Sequence, residues 1–509
     1  MQNIVSAYSR QLLKAAEPYL GWMYRRKVSP YPLAVFRILF GIGLLFEVTQ
    51  TYYFRHLLFD PMPYVEMSRI PSYPLFVFWA IAALGITVGY KTRYLALVNY
   101  VVVVTIIGAG AISTDYEWHA DSLIITCSLI LLFLPSSRVL SISNIRSNGN
   151  YKKVSIIYTY TLILVIFAIY FDSILYKWVS PMYLNGLGFW APSSLPYNVW
   201  LDLSPLLDVR SIAVLGGYFT LAFETLFCVL VWFRKFRPSL VVLGILFHIL
   251  ISLSFPLVVF SIVMISLFMG ILPANYYTYI FRKIYIQVWS VEDESINRGA
   301  GSHLPRASAL FFCGAMVVSV AIISFRSPIY RSYLPKQAEP LLAKAYNIAG
   351  QFKGYVYPWT GFSNHAVFLE HHFENYTTQL TLYDKRKKEY VPITNRDGTV
   401  SSYNTARQWA LWTFRTAPPS VDRKKRVRNI KKYVSFWMYK NDTALRKASI
   451  SIRARPVDVS LRSWRKNLLE ENLEEPWKTV GRVYGDSNGE LHVSWKPRSK
   501  LLPLDRSSQ

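Results

Sequence analysis

The sequence has 509 residues, of which 52% are hydrophobic, 16% are aromatic and only 17% are charged. Apolar residues form long runs between positions 33 and 325, whereas residues 326–509 are polar and rich in Lys and Arg. This pattern excludes several soluble domains in the first two thirds of the chain. It predicts a membrane part that ends near Phe325 and is followed by a water-soluble part.

The net charge of +26 is a feature that nucleic-acid-binding and membrane proteins share. We attribute it to Lys and Arg in the cytoplasmic loops of a membrane protein, and we expect no nucleic-acid partner. The three cysteines lie in apolar segments, so they form neither a disulfide framework nor a CxxC site. Residues 1–30 lack the apolar core of a signal peptide, so the first membrane helix is expected to act as an uncleaved anchor.

The apolar runs predict about nine membrane-spanning helices. A crossing needs about 20 mostly apolar residues, and shorter segments are tolerated where the bilayer thins. The seventh and eighth segments are separated only by Pro256, but one helix across both would be about 50 Å long, too long for one crossing. The predicted segments are Leu33–Thr49, Pro74–Tyr90, Tyr94–Ile112, Asp121–Pro135, Val154–Ile174, Ser211–Phe233, Pro238–Phe255, Leu257–Pro273 and Ala307–Phe325.

The distribution of charge predicts the orientation of these helices. If the N-terminus is cytoplasmic, the inside segments contain 18 Lys and Arg, whereas the outside loops up to Arg210 contain only four. This is the bias that the positive-inside rule describes. We therefore expect a multi-pass membrane protein with a cytoplasmic N-terminus and residues 326–509 outside, and we favour a bacterial inner membrane over the endoplasmic reticulum.

The polar C-terminal part shows signals of β-structure. Residues Gln379–Tyr383 alternate between polar and apolar, and Asn395–Gly398 and Asp486–Gly489 are turn signals. The basic stretch Arg423–Lys432 is helical in pattern, and it predicts a solvated face or a contact with lipid headgroups. The predicted fold is an all-α polytopic membrane helix bundle with a C-terminal β-rich extramembrane domain. Its divisions are residues 1–30, 31–325 and 326–509.

Several titratable residues occur inside or beside the predicted spans, where charge is costly and commonly marks a functional site. Arg37 lies near the inner face and is expected to cap a helix or to snorkel. The others lie in the outer half of the bundle. Each can be read alone as a packing polar group, an interfacial lysine or a core histidine, but their shared depth favours a site. They are Glu47, His119, Asp121, Lys177, Glu224 and His248.

These residue types suggest proton transfer with a lipid-soluble substrate. A lysine beside apolar helix ends is desolvated, which favours its neutral amine, and such an amine can take a proton from a hydroquinone hydroxyl. His119 and His248 could orient that hydroxyl. A quinol would reach this site laterally from the bilayer. Two histidines with scattered carboxylates have no metal-ligand spacing, so we expect no metal.

The order of these residues resembles the horizontally transferred transmembrane (HTTM) family, which includes the vitamin K-dependent gamma-carboxylase. Residues Pro32–Gly41 resemble the opening helix of that family. The resemblance covers roughly residues 30–275, and the segments after the opening helix follow in family order. They are Trp118–Leu123, Tyr170–Gly186, Glu224 and Phe247-His248.

The resemblance implies a specific reaction. Lys177 matches the lysine that deprotonates vitamin K hydroquinone in the carboxylase, and His119 and His248 match its supporting histidines. Glu47, Asp121 and Glu224 are expected to contact the quinol. Reduced vitamin K or another quinol, O2 and CO2 would be consumed, and a secreted or membrane-exposed peptide would be carboxylated on glutamate.

Two departures from the carboxylase pattern leave other hypotheses open. Tyr183 stands in place of a tryptophan and one residue later, and Gly186 is also shifted by one position. The C-terminal part is shorter than the outer region of the carboxylase. A second hypothesis is therefore a related membrane enzyme with a lipid or quinone site and other chemistry. A third is a non-catalytic lipid-binding, immunity or export partner, in which the polar residues only hold helices together. No inverted repeat that would indicate a transporter is found.

Overall fold

The structure is a computed structural model that describes residue 18, residues 21–23, and the ranges 25–68, 72–108, 118–145, 152–283 and 303–496. Nine apolar helices lie at the positions of the nine predicted spans. The third continues as a π-helical turn, Val104–Gly108. The helices are α1 (Tyr31–Tyr53), α2 (Ser72–Val88), α3 (Thr92–Val103), α4 (His119–Leu131), α5 (Ile157–Lys177), α6 (Arg210–Leu230), α7 (Arg237–Ser254), α8 (Val258–Ile271) and α9 (His303–Ser324).

Five of the described helices are long and apolar enough to cross a membrane: α1, α5, α6, α7 and α9. The other four apolar helices are 10–17 residues long. Length and composition therefore support a membrane protein with five crossings, and the four further crossings stay a prediction. The helices are connected by Arg55–Phe59, Ile142–Ile145, Pro181–Leu184, Trp190–Ser193, Pro196–Asn198 and Ser204–Leu207, and α8 is followed by Ala274–Lys283.

Helices α1 and α5 form the centre of the bundle. The apolar window of α1 is 61% buried and that of α5 is 72% buried, against 33–44% for α6, α7 and α9. Helix α1 packs against α2 and α8, and α5 packs against α6, α8 and α9. The peripheral helices expose large apolar side chains such as Leu215 and Phe311, which is typical of helices that face lipid.

Contacts between loops group the connecting segments at two ends of the bundle. The antiparallel pair β1 (Lys27–Val28) and β2 (Val154–Ser155) joins two segments that are both expected on the cytoplasmic side. At the other end of the bundle, Ser435 of the C-terminal part donates its hydroxyl to the carbonyl of Pro63 at 2.7 Å. The loop that contains Pro63 was expected on the same side as the C-terminal part.

The C-terminal part is a mixed α/β domain, so its prediction as β-rich is only partly right. One antiparallel sheet has the order β4-β3-β5-β6-β7, and the predicted strand at Gln379–Tyr383 is confirmed as β3. Further short helices are Ile329–Tyr333, Lys336–Ala338, Glu370–Phe373, Leu445–Lys447 and Leu468–Glu474. The main elements are α10 (Glu339–Thr360), β3 (Thr378–Asp384), β4 (Glu389–Tyr390), α11 (Tyr403–Thr416), α12 (Arg423–Lys440), β5 (Ser449–Pro456), β6 (Lys478–Gly485) and β7 (Leu491–Trp495).

Helix α10 packs directly on the membrane bundle, although it follows the boundary near Phe325. The carbonyl of Trp359 accepts a hydrogen bond from the Tyr100 hydroxyl at 2.7 Å. The next carbonyl, that of Thr360, accepts one from the Thr126 hydroxyl at 2.7 Å. The C-terminal domain is therefore packed against α3 and α4 rather than hanging from a flexible linker.

Arg37 caps helix α2 from inside the bundle. Its guanidinium is fully buried and donates to the carbonyls of Ile86 at 2.8 Å and Thr87 at 3.2 Å, and also to the carbonyl of Leu140. The last carbonyls of a helix have no partner within the helix, so they need external donors. The predicted capping role agrees with these contacts.

Arg37→Leu is expected to leave these carbonyls without donors. The expected loss of unfolding free energy is about 3 kcal/mol, which lowers the thermal unfolding midpoint in detergent by about 5 °C. The control is Arg93→Gln, because Arg93 is an exposed cation near the same face. Equal midpoints for the two variants would contradict the capping role.

Candidate functional site

Lys177 is the last residue of α5, and the turn after it is held close to α6. Gly186 lies in this turn with a φ of +73°. A Cβ on Gly217 of α6 would lie only 2.0 Å from the Gly186 carbonyl oxygen, so both positions depend on glycine. This approach keeps the turn against α6, the helix that carries Glu224.

Lys177 and Glu224 form a buried ion pair between α5 and α6. Nζ of Lys177 lies 2.6 Å from Oε1 of Glu224, and both side chains are 5% exposed. Nζ also lies 4.9 Å from the centre of the Tyr183 ring. Within the described part of the chain, Oε2 of Glu224 and the hydroxyl of Tyr170 have no hydrogen-bond partner. One carboxylate oxygen of the pair can therefore still accept a hydrogen bond inside the bundle.

His248 belongs to the same cluster. Its Nδ1 lies 2.8 Å from the carbonyl oxygen of Gly244, so Nδ1 carries the hydrogen and Nε2 of the neutral ring is an acceptor. His248 and Tyr170 both contact the ring of Phe268. Aromatic rings enclose the cluster: His248 contacts Phe247, Phe260 and Phe268, and Tyr170 contacts Phe223, Phe227 and Phe268.

The structure thus brings together three of the six predicted site residues, Lys177, Glu224 and His248. Tyr170 and Tyr183 join them. Tyr170 could have been found from the sequence only through its place in the segment that resembles the family. Tyr183, the residue that departs from the carboxylase pattern, provides the aromatic ring beside the lysine.

Two other predicted residues, Glu47 and Asp121, contact an arginine of the C-terminal domain. Nη1 of Arg407, in α11, lies 2.5 Å from Oε2 of Glu47, and Nη2 lies 3.9 Å from Oδ1 of Asp121. The guanidinium carbon is 3.8 Å from the centre of the Trp118 ring. The side chains of Arg407, Glu47 and Asp121 are at most 3% exposed. This second cluster joins the domain to α1 and α4.

The sixth predicted residue, His119, is the first residue of α4. Its side chain lies outside the described part of the structure. Its expected contact with the quinol therefore stays a prediction.

Glu370 connects the C-terminal domain to the turn after Lys177. Its Oε1 accepts hydrogen bonds from the Ser180 hydroxyl at 2.7 Å and from the Met182 backbone N–H at 2.5 Å. Neither Glu370 nor Arg407 was identified from the sequence, because each is a single charged residue whose partner lies 190 or 360 residues away in the chain. No periodicity or spacing pairs them with partners in the membrane part.

A small cavity of about 30 Å³ lies where the segment after α10 crosses α5. The backbone N–H of His365 donates to the carboxylate of Asp172 there. His365 is half-buried, and its ring nitrogens are shielded from solvent. Burial lowers the pKa of His365 to about 4, and the nearby positive charge of Lys353 acts in the same direction.

One group of three potential metal ligands occurs among the described residues, at the turn between β6 and β7. Nε2 of His492 lies 2.7 Å from Oδ2 of Asp486. Asp486 also accepts the backbone N–H groups of Asn488 and Glu490. The hydrogen bond from His492 lowers the pKa of Asp486. Asp486 therefore has a structural role in closing this turn.

The comparisons with known proteins support the resemblance over the membrane part. The sequence model of the HTTM domain matches residues 24–275, a range that contains α1 to α8 and both Lys177 and His248. Searches of curated proteins and of solved structures found no match to this chain.

Arg407→Met should destabilise the docking of the C-terminal domain. It leaves the buried carboxylate of Glu47 without its cation, and such a change costs about 3–5 kcal/mol. The expected readout is faster cleavage of the tail in limited proteolysis of the full-length protein. The double variant Arg407→Met/Glu47→Gln removes both charges of the 2.5 Å pair and leaves only the more distant carboxylate of Asp121, so it should recover part of the loss. A double variant as unstable as the single one would contradict the ion pair.

The low pKa of His365 predicts a loss of stability in acid. A histidine in the unfolded chain has a pKa near 6.5. The stability that the folded state gains by keeping His365 neutral is therefore fully present above that pH and is lost as the pH falls toward 4. From pH 7.5 to pH 5 the loss is expected to be about 1–2 kcal/mol, with partial exposure allowed for. His365→Asn should make the unfolding midpoint less dependent on pH. An unchanged dependence would show that other groups are responsible.

Proposed function

We propose that this membrane protein of the HTTM family binds a lipid-soluble quinol at Lys177, Glu224 and His248. Lys177 acts as the base that removes a proton from the quinol hydroxyl, and the reaction drives carboxylation of glutamate in an exported peptide. The observation that carries the proposal is the buried pair of Lys177 and Glu224, 2.6 Å apart, with one carboxylate oxygen still unpartnered.

Lys177 can act as a base within this pair without leaving an unpaired charge in the bundle. A proton can move along the short hydrogen bond from the ammonium of Lys177 to Glu224, which leaves a neutral amine and a neutral acid. This transfer leaves the total charge of the pair unchanged, so it places no additional charge in the apolar surroundings. The neutral amine then accepts the hydroxyl proton, and the resulting quinolate is balanced by the lysine ammonium.

The neighbouring groups would orient the quinol. Nε2 of His248 is available as an acceptor for one hydroxyl, and the Tyr170 hydroxyl can donate to the oxygen that becomes negative. The phenylalanine rings around the cluster would stack on the quinol ring and exclude water. In this proposal Glu47 and Asp121 serve the site indirectly, since Arg407 holds them to the C-terminal domain.

The bound quinol would supply the reducing power: with O2, CO2 and a glutamate side chain it gives gamma-carboxyglutamate, the quinone epoxide and water. The C-terminal domain would present the peptide, because Glu370 brings it to the turn after Lys177. The proposal includes nine crossings, a cytoplasmic N-terminus and an external C-terminal domain in a bacterial inner membrane. No metal has a role in it.

The alternative is a protein of maturation, immunity or export that keeps a lipid or quinone site and does not carboxylate. The pair of Lys177 and Glu224 also fits this function, since an ion pair can serve only to join α5 and α6. The two candidates differ in whether removal of the pair abolishes chemistry or only loosens the bundle.

Lys177→Met is expected to lower quinone epoxide formation at least ~100-fold in lipid nanodiscs supplied with reduced vitamin K and O2. The matched control is Lys235→Met, because Lys235 is an exposed lysine beyond the other end of α6. That variant should keep wild-type activity. Full activity of Lys177→Met would rule out the lysine base.

Two further measurements keep this test decisive. Lys177→Met/Glu224→Met removes both charges and should stay folded, so an inactive but stable double variant separates catalysis from stability. Labelled bicarbonate and a glutamate-containing peptide then distinguish the two candidate functions. Label in the peptide supports carboxylation, whereas epoxide without label supports other quinol chemistry.

A further inference from the structure

The C-terminal part carries most of the positive charge of the protein. Residues 326–509 contain 33 Lys and Arg and 16 Asp and Glu, which leaves +17 of the total +26. The attribution of the net charge to cytoplasmic loops is therefore wrong for the larger share. A domain with this charge is attracted to anionic partners, and its position decides which partner it meets.

Part of this charge, together with Arg55 of the membrane part, forms a surface that we call the basic rim. It comprises Arg55, Lys385–Lys388, Lys440, Arg446 and Lys447. All of these side chains are exposed except that of Arg55, which is half-buried. Two acidic residues, Glu389 and Asp442, lie in the same segments, and Glu389 is 3.8 Å from Lys387. The rim thus has eight cations and two exposed anions, and a third carboxylate, that of Asp384, is buried and accepts the backbone N–H groups of Arg386 and Lys387.

Specific contacts hold the rim together. Lys387, in the turn between β3 and β4, lies 5.0 Å from the centre of the Trp437 ring and 3.5 Å from Oδ1 of Asn441. Arg386 donates to the carbonyl of Lys447 at 3.0 Å. The turn is thus packed against the end of α12, so its charges have a fixed place.

The rim lies beside the end of the first membrane helix. Nζ of Lys440 is 4.1 Å from the centre of the ring of Tyr53, the last residue of α1. Arg55 follows in the chain. Partial burial lowers the pKa of Lys440, and the nearby Arg55 acts in the same direction. Two cations this close gain from an anion placed between them.

Exposed tyrosines and one methionine occur in the segments next to the contact between Lys440 and Tyr53. Tyr53, Tyr73 and Tyr439 are exposed to 46%, 63% and 38%, and Met67 is exposed to 62%. Tyrosines gather at the level of lipid headgroups because their rings suit the boundary between hydrocarbon and water. These side chains favour a position of the basic rim at headgroup level.

The basic start of α12 has a different position. Arg426 donates to the carbonyls of Thr416 and Pro418, which lie at the end of α11 remote from Arg407 and the bundle. At 1.5 Å per residue, α12 extends about 27 Å from its end at Lys440. Arg423 and Lys424 are exposed at this far end of α12, about 27 Å from the basic rim. Arg426 and Lys432 of the same stretch are buried, so the predicted solvated face is limited to part of it.

We propose that the basic rim binds the phosphates of anionic phospholipids in the leaflet on the side of the C-terminal domain. This binding seats the β-sheet on the membrane surface beside the α11–α12 pair. The attractions of several basic side chains to an anionic surface are additive, and salt screens them. The inference is independent of the quinol reaction, because it involves neither Lys177 nor its neighbours.

Hydrogen–deuterium exchange of the full-length protein in nanodiscs tests this proposal. Exchange of residues 384–390 should be at least about fivefold slower with about 30% phosphatidylglycerol than with phosphatidylcholine alone, and about 0.5 M salt should remove the difference. Lys385→Gln/Lys388→Gln should also remove most of it. The matched control is Arg423→Gln/Lys424→Gln, which removes the same charge at the other end of α12 and should keep the protection.

Each outcome decides the proposal. Protection that depends on anionic lipid and is lost only in the rim variant supports it. Equal exchange in the two lipids overturns it, as does equal loss of protection in both variants. Protection in phosphatidylcholine on addition of polyglutamate, without an effect of anionic lipid, would assign the rim to an acidic polypeptide instead.

Discussion

A lysine and a glutamate that must stay together inside an apolar helix bundle constrain the rest of this structure. Either charge alone would be very costly in these surroundings, so α5 and α6 have to keep Lys177 and Glu224 within hydrogen-bond distance. The glycine contact between the turn and α6 and the hydrogen bonds from that turn to Glu370 support the same geometry. His248 completes the cluster from a third helix.

The C-terminal domain is part of this arrangement rather than an appendage. It reaches the bundle through Arg407 at α1 and α4, and through Glu370 at the turn after α5. Charged contacts of this kind are weak contributors to stability but costly to break, so they specify one docked position. In the proposed function, a domain fixed in this way would present its substrate at the Lys177 site without a large movement.

The positions of the apolar helices could be predicted from the sequence, because apolar length depends on local composition. Depth alone was enough to group Lys177, Glu224 and His248. It did not separate them from Glu47, which lies at a similar predicted depth but pairs with Arg407, 360 residues away in the chain. The β-sheet and the helical pattern at Arg423–Lys432 could be predicted from the sequence, whereas the helices α10 and α11 were not predicted, so the tail is less rich in β-structure than expected.

The most direct test of the central claim uses a photoreactive, lipid-soluble quinone analogue with the full-length protein in nanodiscs. If the buried pair belongs to a quinol site, the cross-linked peptides should come from the segments of α5, α6 and α7 around Tyr170, Glu224 and His248. An excess of reduced vitamin K should prevent the labelling. Labelling that is spread over lipid-facing positions and is insensitive to the competitor would contradict a quinol site at Lys177.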